Sequence, residues 1–99
     1  MKIYELKDGS GRVFAFEIGV PLGGRRRVCS IIRGISGVTL TKAPRFLSWF
    51  REEVFCEFEL GETRFQALEP FGDNSRYWIG PEDAVWHPEV EEVIRAFSG

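Results

Sequence analysis

Two strand-like runs rich in apolar residues, 2–7 and 12–18, flank Asp8-Gly9-Ser10-Gly11. A period of two marks a strand with one buried face, and a Gly-rich turn between two such runs predicts a hairpin. Phe14, Phe16 and Ile18 share one face of the second strand, and Tyr4 and Leu6 share one face of the first. Gly19-Val20-Pro21-Leu22-Gly23-Gly24 reads as a loop, because Pro and the Gly pair interrupt pairing. Arg26 to Arg33 then reads as a third strand. Gly34-Ile35-Ser36-Gly37 turns the chain into a short fourth strand, Val38-Thr39-Leu40.

A helix is expected next. Thr41 suits its N-cap, Pro44 suits its first turn, and Phe46, Leu47, Trp49 and Phe50 make one apolar stripe. Residues 54–60 and 63–69 give the sharpest local pattern, two strands about Gly61-Glu62, which fits a two-residue type II′ turn. That register sets Leu60 opposite Thr63, Phe58 opposite Phe65 and Cys56 opposite Ala67. On the other face it pairs Glu59 with Arg64, Glu57 with Gln66 and Phe55 with Leu68. An aromatic pair on one face and an opposite-charge pair on the other are both favourable, and a slip by one residue scrambles both.

Pro70 to Ser75 is a turn cluster, Arg76 to Ile79 is a short strand stopped by Gly80-Pro81, and a loop with Trp86 leads to a second helix. In that helix Pro88 takes a first-turn position. Glu89, Glu91 and Glu92 suit the positive end of the dipole, and Val90, Val93, Ile94 and Phe97 share a face. The expected order is β-β-β-β-α-β-β-β-α. This is an α+β fold, an antiparallel sheet of hairpins with two helices, in a single domain over residues 1–99.

Composition sharpens the picture in two ways. An apolar share of 43% with 14% aromatic residues supports a packed core and argues against disorder. No apolar run approaches the roughly 20 residues of a membrane span, and the N-terminus carries no signal-peptide pattern, so a cytoplasmic location is expected. Charge is uneven. Residues 1–50 hold nine Lys/Arg against three Asp/Glu, a net of +6, and residues 51–99 hold four against twelve, a net of −8. Either the first half forms a basic binding face, or the halves interleave and neutralise each other.

The residues that carry chemistry point away from catalysis. His87, the one histidine, precedes Pro88 at a helix start with no neighbouring nucleophile. Glu52-Glu53 and Glu57-Glu59 fit solvated faces. Cys29 and Cys56, with 26 residues between them, match no metal-ligand spacing and sit in strand-like runs, so buried free thiols are expected. No phosphate loop or dinucleotide fingerprint is present, and no cofactor is expected. The sharpest local feature is Gly23-Gly24-Arg25-Arg26-Arg27, where successive arginines can reach phosphates and glycine lets backbone approach closely. Arg12, Arg33, Lys7 and Lys42 could extend such a patch. Of Tyr77 and Trp78, which face opposite ways by parity, one is expected to face outward, with Trp78 as the candidate stacking aromatic.

Tyr4-Glu5-Leu6-Lys7-Asp8 followed by Arg12 to Ile18, then Gly37-Val38-Thr39-Leu40-Thr41 leading into Arg45 to Phe50, resembles the four-strands-then-helix unit of PUR-repeat, Whirly and positive-cofactor-type transcriptional coactivator domains. The resemblance covers about half the chain. It implies a curved sheet that binds single-stranded DNA or RNA, often as a dimer. The expected function is therefore non-enzymatic binding of single-stranded nucleic acid through Arg12, Arg25, Arg26, Arg27, Arg33 and Trp78. The alternative is a protein-interaction module of the inhibitor, immunity or adaptor kind. No membrane partner is expected.

Overall fold

A computed structural model of the chain describes residues 1–42, 54–69 and 76–98. The elements run β1 (Ile3–Lys7), β2 (Val13–Gly19), α1 (Gly24–Arg33), β3 (Val38–Lys42), β4 (Val54–Leu60), β5 (Thr63–Leu68), β6 (Arg76–Pro81) and α2 (Glu89–Ser98). The fold is α+β, but the order is not the expected one. Both the helix expected beyond Thr41 and the turn cluster at 70–75 fall outside the described residues.

The turns fold as their chemistry dictates. Between β1 and β2 the Asp8 carboxylate accepts the Ser10 N–H at 2.8 Å, the Ser10 hydroxyl at 2.6 Å and the Arg12 N–H at 3.1 Å. An aspartate that binds backbone a few residues on is a turn former for that reason. Between β4 and β5 Gly61 has φ of 64°, and the pairs Leu60–Thr63, Phe58–Phe65, Cys56–Ala67, Glu59–Arg64 and Glu57–Gln66 are those expected. The Phe58 and Phe65 rings stack 5.1 Å apart and 7° from parallel.

One pair in that hairpin differs. Leu68 faces Val54 rather than Phe55, because the register shifts between Val54 and Cys56. A bulge adds a residue to one strand and re-aims its side chain. Phe55 is fully buried with its ring 4.9 Å from that of Tyr77.

The larger correction is at residues 24–33, which form a helix and not a third strand. Val28, Cys29 and Ile32 are buried, and Arg25 is largely so, which is the i, i+3, i+4, i+7 spacing of a helix face. Alternation would have buried Ser30 with Val28 and Ile32, yet Ser30 is exposed. Cys29 therefore lies on a helix, although both cysteines are buried and free as expected.

The six strands form one antiparallel sheet in the order β1-β2-β6-β5-β4-β3. β2 pairs with β6, setting Phe16 beside Ile79, while α1 carries the chain from β2 to the far edge at β3. α1 and α2 pack on one face of the sheet. Phe16, Ile18, Phe58, Phe65 and Ile79 meet Val28 and Ile32 of α1 and Val90, Val93 and Phe97 of α2 there, with Phe97 edge-on to Phe16 at 5.5 Å. The expected apolar face of α2 is the buried one. Tyr77 points into this core and Trp78 to the other side of the sheet.

The sheet has two unlike ends. The turns after β1 and β4 share one end with the loop after β6 and the start of α2, where Glu89 accepts the Thr63 hydroxyl at 3.0 Å. α1 starts at the opposite end, where Gly19 faces Arg76 and Gly24 sits beside Tyr77. It finishes near the first end, since β3 opens with Val38 opposite Leu60.

A candidate anion-binding surface

The approach to α1 is a tight turn. The Gly24 N–H donates to the Pro21 carbonyl at 2.9 Å, and Gly23 has φ of 93° and ψ of −8°. Those are the angles of the third residue of a type II turn, a position that favours glycine. Leu22 is left at the apex with 99% of its surface exposed, and Val20 before it is 44% exposed. Gly23 also packs closely on the helix, where an added Cβ would stand 3.2 Å from the Arg27 Cβ.

The three successive arginines divide by helical geometry. Arg25 turns inward. Its Nη2 donates to Glu69 Oε1 at 2.8 Å and its Nε to the same oxygen at 3.2 Å, while its guanidinium lies 5.0 Å from the centre of the Phe55 ring. Arg26 and Arg27 are exposed, and Arg33 is exposed one turn or more further along the same outward side, with Ser30 between them. Residues 18–51 contain no Asp or Glu and seven Lys/Arg. The helix thus shows solvent a basic side uninterrupted by any carboxylate of its own.

The remaining expected binding residues stand elsewhere. Arg12 is at the opposite end of the sheet, its guanidinium 4.5 Å from the Trp86 ring centre. Trp78 is half-buried on the sheet face away from α1. Its indole covers Gly80, where an added Cβ would come within 2.9 Å of the ring. That face carries paired charges, Arg76–Glu17 and Arg64–Glu59, each at 3.3 Å, with Arg76 also 3.6 Å from the Tyr4 ring centre. Arg25, Arg26, Arg27 and Arg33 are therefore brought onto one helix, whereas Arg12 and Trp78 are not brought to it. Lys7 is exposed on the edge strand.

The far end of the sheet is acidic. Glu62, Thr63, Arg64, Glu82, Asp83 and His87 line a groove of about 260 Å³. His87 Nε2 lies 2.9 Å from Asp83 Oδ2. Slight burial pushes the Asp83 carboxyl up, but the bonds from His87 and the Val85 N–H outweigh it and leave it below its usual value. Sequence reading saw His87 without this partner four residues before it. It also missed Glu69 as the neutralising group for Arg25, and passed over Leu22 as loop. Gly23 two residues after Pro21 was the available signal for the turn that displays Leu22.

No hydroxyl or thiol is hydrogen-bonded to the His87–Asp83 pair among the described residues. Nor does any group of three His, Cys, Asp or Glu there suit a metal ion. The two thiols touch in the core. The hydrogen bond from Cys56 holds Cys29 below its usual value, and the same bond with burial pushes Cys56 far above its own. No helix among the described residues is long and apolar enough to cross a membrane. No family model, curated protein or solved structure matches the chain.

Proposed function

We propose that this chain is a non-enzymatic binding module that takes a phosphate-bearing polyanion on the outward side of α1. One observation carries the reading. Arg26, Arg27 and Arg33 stand exposed on one side of a helix, inside a stretch of 34 residues with no carboxylate. Guanidinium groups present forked donors that fit phosphate oxygens, and an unbroken run of one sign concentrates the attraction. Single-stranded DNA or RNA, which the family resemblance implies, is the first polyanion to test. The contacts run through the helix, so Trp78 on the far side of the sheet takes no part.

The experiment is a fluorescence titration of labelled single-stranded DNA and RNA, and of heparin, at rising salt. Binding should weaken with salt, by a log–log slope of roughly −0.7 per phosphate contact on single strands. Replacing Arg26, Arg27 and Arg33 together with Ala should flatten that slope by about two units if all three make contacts, while leaving the circular dichroism spectrum unchanged. Replacing Trp78 with Ala should leave the slope unaltered. If the wild-type protein binds none of the three polyanions, or if the triple variant keeps the same slope, this reading is wrong. A protein-interaction module of the adaptor or inhibitor kind then takes its place.

A further inference from the structure

Leu22 is not explained by phosphate binding alone. Burying an isolated leucine removes a large apolar area from water, whereas leaving it at the tip of a turn contributes nothing to the fold. Here it is 99% exposed, with Val20 beside it at 44%, on a turn closed by a 2.9 Å hydrogen bond and packed on the first turn of α1. The tip therefore projects from a hydrogen-bonded turn set against the start of the helix.

The charges around it are sorted. Arg26 and Arg27 follow within five residues and are exposed. Among the described residues, Glu17 and Glu69 are the carboxylates towards this end, and each is held by an arginine, Arg76 and Arg25. Glu62, Glu82, Asp83 and Glu89 lie at the opposite end of the sheet. An apolar tip, two exposed arginines behind it and a cluster of carboxylates at the far end fit a flat anionic surface with an apolar interior. A nucleic acid offers the phosphates without the apolar layer, and the aromatic that could stack on bases faces the other way.

Resting on the polyanion reading above, we infer that the phosphates are those of an anionic lipid surface, with the Val20–Gly24 turn inserted among the acyl chains and Arg26 and Arg27 at the headgroups. Membranes hold peripheral proteins by this sum of shallow apolar burial and attraction to anionic lipid. That no helix among the described residues is long and apolar enough to cross a membrane has no bearing on attachment of this kind.

The test is co-sedimentation of the full chain with phosphatidylcholine vesicles, with and without phosphatidylserine, beside the oligonucleotide titration. Binding should require phosphatidylserine and weaken with salt. Each arginine neutralised in an Arg26→Ala, Arg27→Ala series should cost roughly fivefold, and Leu22→Ala about tenfold or somewhat less, as insertion is partial. Leu22→Asp should abolish vesicle binding while leaving oligonucleotide and heparin affinity within about twofold. An environment-sensitive dye on Leu22→Cys should shift to the blue on adding the mixed vesicles, and the same dye on Glu62→Cys, at the far end of the sheet, should not. Oligonucleotide binding without vesicle binding sinks the lipid inference and leaves the polyanion reading standing. Loss of both sinks both. Vesicle binding indifferent to Leu22→Asp, or dye shifts equal at the two positions, overturns insertion of the turn.

Discussion

Phe58 and Asp8 show what single side chains contribute. Phe58 is 1% exposed and stacked on Phe65 across the β4–β5 hairpin. Phe58→Ala removes that stack and leaves a cavity between sheet and helices, so urea unfolding should show a loss of about 3–5 kcal/mol. Asp8 is a different case, half-buried and structural through its three hydrogen bonds. The Ser10 hydroxyl, and then the N–H groups of Ser10 and Arg12, hold its carboxyl below the usual value despite a small opposing effect of burial. A carboxyl that is more acidic in the folded chain stabilises above its unfolded pKa, near 3.9. That contribution is lost as pH falls through the folded value. Asp8→Asn should therefore melt below the wild type at neutral pH, and the gap should close as the pH is taken below about 4. A gap of constant size across that range would mean the ionised carboxylate is not what holds the turn.

At the scale of elements, the hairpins were legible and α1 was not. Gly61-Glu62 fixes a turn type, the turn fixes a register, and Phe58 then has to meet Phe65 whatever the rest of the chain does. Asp8 to Arg12 works in the same local way. In Arg26 to Arg33 the same reading failed, because Val28, Ile31 and Ile32 are β-branched and draw the eye to a strand. Val28 and Ile32 are four apart, Gly34 follows the last buried position, and arginine has good helix propensity, all of which favour a helix. Propensity was decided by the core, which needed a third buried position at Cys29, on the same helix face. Position 30 separates the two structures. Ser30→Ala should be neutral or stabilising by up to about 0.5 kcal/mol, since it is exposed and alanine is the better helix former. Ser30→Pro should cost about 3 kcal/mol or more through the lost helical hydrogen bond. Equal, small effects of the two substitutions in thermal melts would argue against the helix. The bulge at Phe55 was invisible for a related reason. It answers to Tyr77, more than twenty residues away, and not to any neighbour in sequence.

For the whole molecule, the charge imbalance between the two halves was legible by counting, but where it leads was not. Arg25 is neutralised by Glu69 of the acidic half, so the halves interleave there. Arg26, Arg27 and Arg33 stay clear of it because the helix turns them outward. Arg12 and Trp78 dropped out of the surface for want of a topology. Only the pairing of β2 with β6 shows that Trp78 stands beside Glu17, across the sheet from α1.

That same pairing joins parts of the chain made far apart in time. β2 ends at Gly19 and its inner neighbour opens at Arg76, so the first hairpin has no place in the sheet until β6 has left the ribosome. Non-local strand pairing is slow, because a long loop must close before any contact rewards it. Until then Phe16 and Ile18 have no Ile79 to lie beside, and α1 has no finished sheet beneath it. The molecule should thus collapse late and in one step, and a chain halted before β6 would expose apolar strand edges to every other such chain.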